Sequence, residues 1–79
     1  MVIFLKAGGD LGRKLQPDVD AYTRRVEVEE GKTLREILQG IGVDPRFVAF
    51  AVKGERVEQM SLVPGNGDTI TLLPPVSGG

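Results

Sequence analysis

The chain has 79 residues, with 10 lysines and arginines against 11 aspartates and glutamates and a formal net charge of -1. That length holds one domain and leaves no room for a separate catalytic domain, and the balanced charge argues against a dedicated nucleic-acid binder, which concentrates positive charge to displace counterions from phosphates. Cysteine and histidine are both absent, which removes thiol nucleophiles, disulfides, imidazole bases and every thiolate or imidazole metal site.

Val2-Ile3-Phe4-Leu5, β-branched and aromatic, runs into Ala7-Gly8-Gly9 and predicts a first strand. Lys6 interrupts it too soon for the apolar segment of a secretory signal. From Gly8 to Thr23 neither a helical nor an alternating pattern is visible, so this stretch reads as a long connecting loop and a possible contact region. Arg24 to Glu29 then alternates Val26 and Val28 with charged residues, the pattern of a half-buried second strand.

Thr33-Leu34-Arg35-Glu36 has the spacing of a capping box and starts a helix. Leu34, Ile37, Leu38 and Ile41 fall on one stripe, and Gly40 and Gly42 supply the stop. A helix of about ten residues is unstable alone in water, so the stripe must pack on a sheet. Asp44-Pro45 signals a turn, and Phe47 to Val52 is apolar throughout, as in a central strand paired on both edges. That run, the longest apolar one, is far short of the about 20 residues of a membrane span, and the protein is expected to be cytoplasmic, with no membrane or nucleic-acid partner.

Lys53-Gly54-Glu55-Arg56 predicts a tight hairpin into a short strand around Val57, and Met60, Leu62 and Val63 form an irregular apolar patch under the helix. Gly65-Asn66-Gly67-Asp68 is a turn, and Thr69 to Leu73 a last strand ended by Pro74-Pro75, which remove two backbone donors. The order predicts an α+β domain over residues 1–73, with one main helix on one face of a sheet of four to five strands, followed by a flexible tail at 74–79. The helix stripe is expected to meet Phe4, Val26, Val28, Phe50, Ile70 and Leu72, while alternation turns Thr69, Thr71 and Leu73 to the opposite face.

Little in this chain resembles an active site. Gly8 to Lys14 fails the phosphate-loop spacing, with Leu15 where a hydroxyl is needed, and reads as a plain glycine-rich loop. Glu27, Glu29 and Glu30 read as a solvated face. Arg24, Arg25, Lys32, Arg35 and Arg46 could form a basic patch, but Tyr22 alone stands nearby to stack on bases. The end is different: Pro74-Pro75-Val76-Ser77-Gly78-Gly79 could extend roughly 20 Å, stiff at its root and bare of side chains at its tip, a shape suited to delivering a carboxylate into another protein's active site. Taken alone, a Gly-Gly end reads as a frayed terminus.

With the preceding elements, the chain resembles the ubiquitin-like β-grasp sulfur carriers of the MoaD/ThiS family, through the first strand, the helix start at Gly31 to Leu38, the Gly67-Asp68 turn and the terminal Gly78-Gly79. The Pro74-Pro75-Val76-Ser77-Gly78-Gly79 ending is most similar to the molybdopterin synthase small subunit. The resemblance implies a mixed-sheet β-grasp fold and a co-substrate more than an enzyme, with no bound cofactor. An adenylyltransferase related to the ubiquitin-activating enzymes would join Gly79 to AMP using ATP. A sulfur donor such as a cysteine desulfurase or rhodanese would then give a thiocarboxylate. Pro74, Pro75, Val76, Ser77 and Gly78 would thread into the partner, Leu73 would help to dock it, and the acceptor would be the molybdopterin synthase large subunit or another sulfur acceptor enzyme. The same terminus would also serve thiamine synthesis, tRNA thiolation or attachment to protein lysines; a non-covalent regulatory β-grasp module would not need it.

Overall fold

The structure, a computed structural model, describes residues 1–75. Its elements are β1 (Val2–Lys6), α1 (Gly9–Leu15), β2 (Thr23–Glu27), α2 (Leu34–Gly40), a 3-10 turn at Pro45–Phe47, β3 (Phe50–Lys53), β4 (Arg56–Glu58) and β5 (Thr69–Leu73). The five strands form one mixed sheet in the order β2-β1-β5-β3-β4, in which β1 and β5 are parallel and the other pairs antiparallel. Among the described residues no helix is long and apolar enough to cross a membrane.

α2 forms where its local signals place it. Glu36 N–H donates to Thr33 Oγ1 at 3.2 Å and Thr33 N–H to Glu36 Oε1 at 3.0 Å, completing the capping box. The next orphan donors, Leu34 and Arg35 N–H, reach Leu62 O at 2.7 Å and Met60 O at 3.0 Å, so the apolar patch also caps the helix. The helix is seven residues long, shorter than expected, because Gly42 takes a positive φ of 83° and turns the chain back for Val43 N–H to reach Leu38 O. Leu34, Ile37 and Leu38 are buried against Ile3, Leu5, Ile70 and Leu72, with Ile41 at the margin.

Three expectations are corrected. The segment from Gly8 to Thr23 is not a loop throughout, since α1 occupies Gly9–Leu15 and buries Leu11 and Leu15, so the sheet carries a second, short helix. The apolar run from Phe47 does not begin a strand, because Asp44 accepts from Arg46 N–H and winds Pro45–Phe47 into the 3-10 turn, delaying β3 to Phe50. Phe4 and Phe50 do not point inward: Ile3, Leu5 and Ala51 hold the buried positions, Phe4 is half-buried, and Phe50 is 39% exposed. Val26, Ile70 and Leu72 are buried as expected, and Val28 packs at the core's edge.

Candidate functional site

β5 is the middle strand, so whatever leaves its end is tied into the sheet on both sides. The far end of β5 sets its register: Gly67 N–H donates to Val2 O at 2.7 Å, Phe4 N–H to Asp68 O at 2.8 Å, and Val2 N–H to Asn66 Oδ1 at 2.9 Å. Asp68 closes this turn, accepting Gly65 N–H at 2.7 Å, with Lys53 Nζ at 3.1 Å from the same carboxylate oxygen. The Gly65 donor first, and then Lys53, hold the Asp68 carboxyl below its ordinary range.

At the exit, Lys6 lies beside Thr71, so β1 and β5 leave the sheet side by side. β1 turns through buried Ala7 into α1, while β5 passes through half-buried Leu73 to exposed Pro74 and Pro75. Between these paths lies an open, mainly apolar groove of about 760 Å³, lined by Lys6, Ala7, Leu11, Tyr22, Leu73 and Pro74 among others.

Each wall of the groove has a local cause. α1 lies so close to β1 that a Cβ at Gly12 would stand 2.7 Å from the Ala7 carbonyl oxygen, hence glycine in mid-helix. Its end is closed by Arg24, whose Nη1 donates to Leu15 O at 3.1 Å, and by Gln16 in the left-handed region at φ 57°. On the other side, Tyr22 N–H donates to Asp20 Oδ1 at 2.8 Å, the main reason that the Asp20 carboxyl titrates below its ordinary range. Ala7 N–H donates to Tyr22 O at 3.0 Å and ties that residue to the groove floor.

The sheet face opposite α2 is apolar near the exit. Leu73 faces Phe50 across β5 and β3, Thr71 faces Val52, and Val52 faces Val57, so these side chains share the open face. Phe4 joins them by the same alternation. The face combines a strand bound on two sides with partly exposed aliphatic and aromatic groups, a surface suited to hold a partner beside the exit.

Of the residues proposed from sequence, the structure thus brings Leu73, Pro74 and Pro75 together at the exit. Val76, Ser77, Gly78 and Gly79 lie outside the described residues. Lys6, Leu11 and Tyr22 were not anticipated there. Leu11 and Leu15 at i, i+4 carried a readable helical signal, whereas nothing local to Tyr22 marks it as a wall of the groove. Glu27, Glu29 and Glu30 are exposed, as a solvated face requires. Arg25, Lys32 and Arg46 each have an acidic neighbour, Glu27 at 3.5 Å, Glu36 at 3.8 Å and Asp44 at 2.8 Å, which offsets the suspected basic patch.

A family model described as ThiS family matches residues 15–79, most of the chain. The chain belongs to the ThiS family. It is thereby of the small sulfur-carrier type. A search of curated proteins gives no match. Among solved structures, the crystal structure of SAMP1 from Haloferax volcanii superposes with a TM-score of 0.70 at 22% identity, covering 100% of both chains. At that identity the likeness establishes the fold, the ubiquitin-like β-grasp, with five strands and two helices.

Proposed function

We propose that this ThiS-family protein is a sulfur carrier that works through its Gly79 carboxylate, with molybdopterin synthesis as its pathway. The observation that carries this reading is the construction of the exit: a central strand held on both sides, ending at Leu73 beside an apolar face, with Pro74 and Pro75 exposed beyond it. Such a root fixes where the tail starts while leaving its path to the partner. Family membership supports the same reading.

The chemistry asks little of the domain itself. A free α-carboxyl has a reference pKa of about 3.3–3.7 and is ionised at neutral pH, so its oxygen attacks the α-phosphorus of ATP in the activating enzyme and pyrophosphate leaves. A donor's persulfide sulfur then attacks the acyl carbon, AMP departs with the bonding pair, and a thiol reductant frees the thiocarboxylate. In the synthase, that sulfur passes to the pterin precursor of the dithiolene. Leu73 and its neighbours on the open face dock the activating enzyme and the acceptor subunit, Pro74 and Pro75 direct the chain outward, and Gly78 passes where a Cβ would collide.

Incubation with the activating enzyme, ATP and a sulfur source should raise the protein mass by the exchange of one oxygen for sulfur. Deleting Gly79 should abolish that change and leave the melt untouched; Gly78→Val should slow it, and Leu73→Glu should weaken binding of the activating enzyme while the circular dichroism stays native. Wild-type cofactor synthesis in cells carrying only the Gly79-deleted protein would overturn the proposal. Conjugates on lysines of other proteins, with no thiocarboxylate formed, would make the chain a modifier.

A further inference from the structure

The two outer strands of the sheet are finished differently. β2 is partly guarded: Asp18 and Val19 N–H both donate to Thr23 O at 2.9 Å, and Arg25 N–H donates to Asp18 Oδ1 at 2.9 Å, so the outward groups of its first half are already engaged. This is how natural sheets block edge-to-edge pairing. Among the described residues β4 has no such cover, and Val57 at its centre is 67% exposed.

The register of the β3–β4 hairpin decides which groups β4 offers. Lys53 and Arg56 flank the two-residue turn Gly54-Glu55 and are paired, as are Ala51 and Glu58. In an antiparallel ladder hydrogen-bonded and non-bonded pairs alternate, and the pair closing a two-residue turn is bonded. Val57 is then the non-bonded position relative to β3, and its N–H and C=O point away from the sheet. On either side stand Arg56 and Glu58, which take part in none of the ion pairs among the described residues.

We propose that β4 is the contact edge of a homodimer, in which a second copy pairs antiparallel about a two-fold axis through Val57. The sequence cation, valine, anion is complementary to itself when reversed: Val57 meets Val57 of the other copy and the two exchange both backbone bonds, while Arg56 meets Glu58 and Glu58 meets Arg56. Opposed side chains of an antiparallel pair share a face, so both charge pairs lie on the helix-bearing side and the valines on the open side. The result is a continuous ten-stranded sheet, twice the five strands of one copy. Only three residues per copy form the ladder, which places the dimer among weak, transient contacts. The inference is independent of the chemistry at Gly79.

Sedimentation equilibrium of the full chain, from micromolar to millimolar, should show a reversible monomer-dimer equilibrium. Val57→Pro removes the outward N–H without touching the β3 ladder and should abolish association. Arg56→Glu and Glu58→Arg, which place like charges opposite each other at both ends, should each weaken it roughly tenfold. The double variant carrying both changes should restore it, and an equimolar mixture of the two single variants should form heterodimers tighter than either homodimer. Deleting Gly79 should leave association unchanged. A wild-type chain that stays monomeric at millimolar concentration, or a dimer indifferent to these charge exchanges, would overturn the proposal.

Discussion

The two helices are each seven residues long, yet they exist for different reasons. α2 carries its own instructions: a reciprocal capping box, a buried stripe and a left-handed glycine beyond its end. α1 has Gly8 as its N-cap with no side-chain bond to it, and a glycine in its interior. What holds α1 is its surroundings, the buried Leu11 and Leu15, the close approach of Gly12 to Ala7 and the Arg24 cap on Leu15. Glycine lowers the local propensity of a helix while permitting a contact that any other residue would block. A local reading of the chain sees only the first of these effects.

This contrast can be broken or sharpened by substitution. The largest effect should come from α2's buried stripe, where Ile37→Ala removes packing from the core and should cost about 2–5 kcal/mol, read as a lowered urea midpoint. Next is Gly12→Ala, which would raise propensity but drive a Cβ to 2.7 Å from a backbone oxygen; it should destabilise by about 1–3 kcal/mol, and a stabilised protein in thermal melts would show that α1 does not need its close approach. The same replacement at Gly40 meets no atom within 4 Å and should stabilise by about 0.5 kcal/mol. Opposite signs for one chemical change in two helices would separate contact from propensity.

The smallest effect concerns pH. Glu36 in α2 is held below its ordinary range mainly by the Thr33 backbone N–H. The unfolded chain therefore takes up this proton first as pH falls, so the contribution is present above the unfolded carboxyl's pKa and is lost as pH drops through the lowered folded value. Melts of the wild type and Glu36→Gln at a series of pH values should converge in acid; a difference that stays constant would remove Glu36 from the account.

The same physics explains what the sequence could reveal. Alternation in Thr69 to Leu73 sorted Ile70 and Leu72 inward and Leu73 outward because threonines mark the other face. In Val2-Ile3-Phe4-Leu5 and around Phe50 every candidate is apolar, so in β1 only Lys6, on the same face as Phe4, marks the outer side, and choosing the aromatics put the parity one residue out. The exit of the tail was legible because prolines end a strand by chemistry alone. The groove beside it was not, since it depends on α1 and on the Asp20-tethered Tyr22 meeting β5 across most of the chain.

The central position of β5 also bears on mechanical load. A pull on the end of β5 acts along the strand axis, while the bonds joining β5 to its antiparallel neighbour β3 run nearly perpendicular to that axis and those to parallel β1 run slanted. The two ladders then resist together in shear, rather than opening one bond at a time as an end strand would when peeled away. A domain built this way resists unravelling when it is pulled from the end of β5.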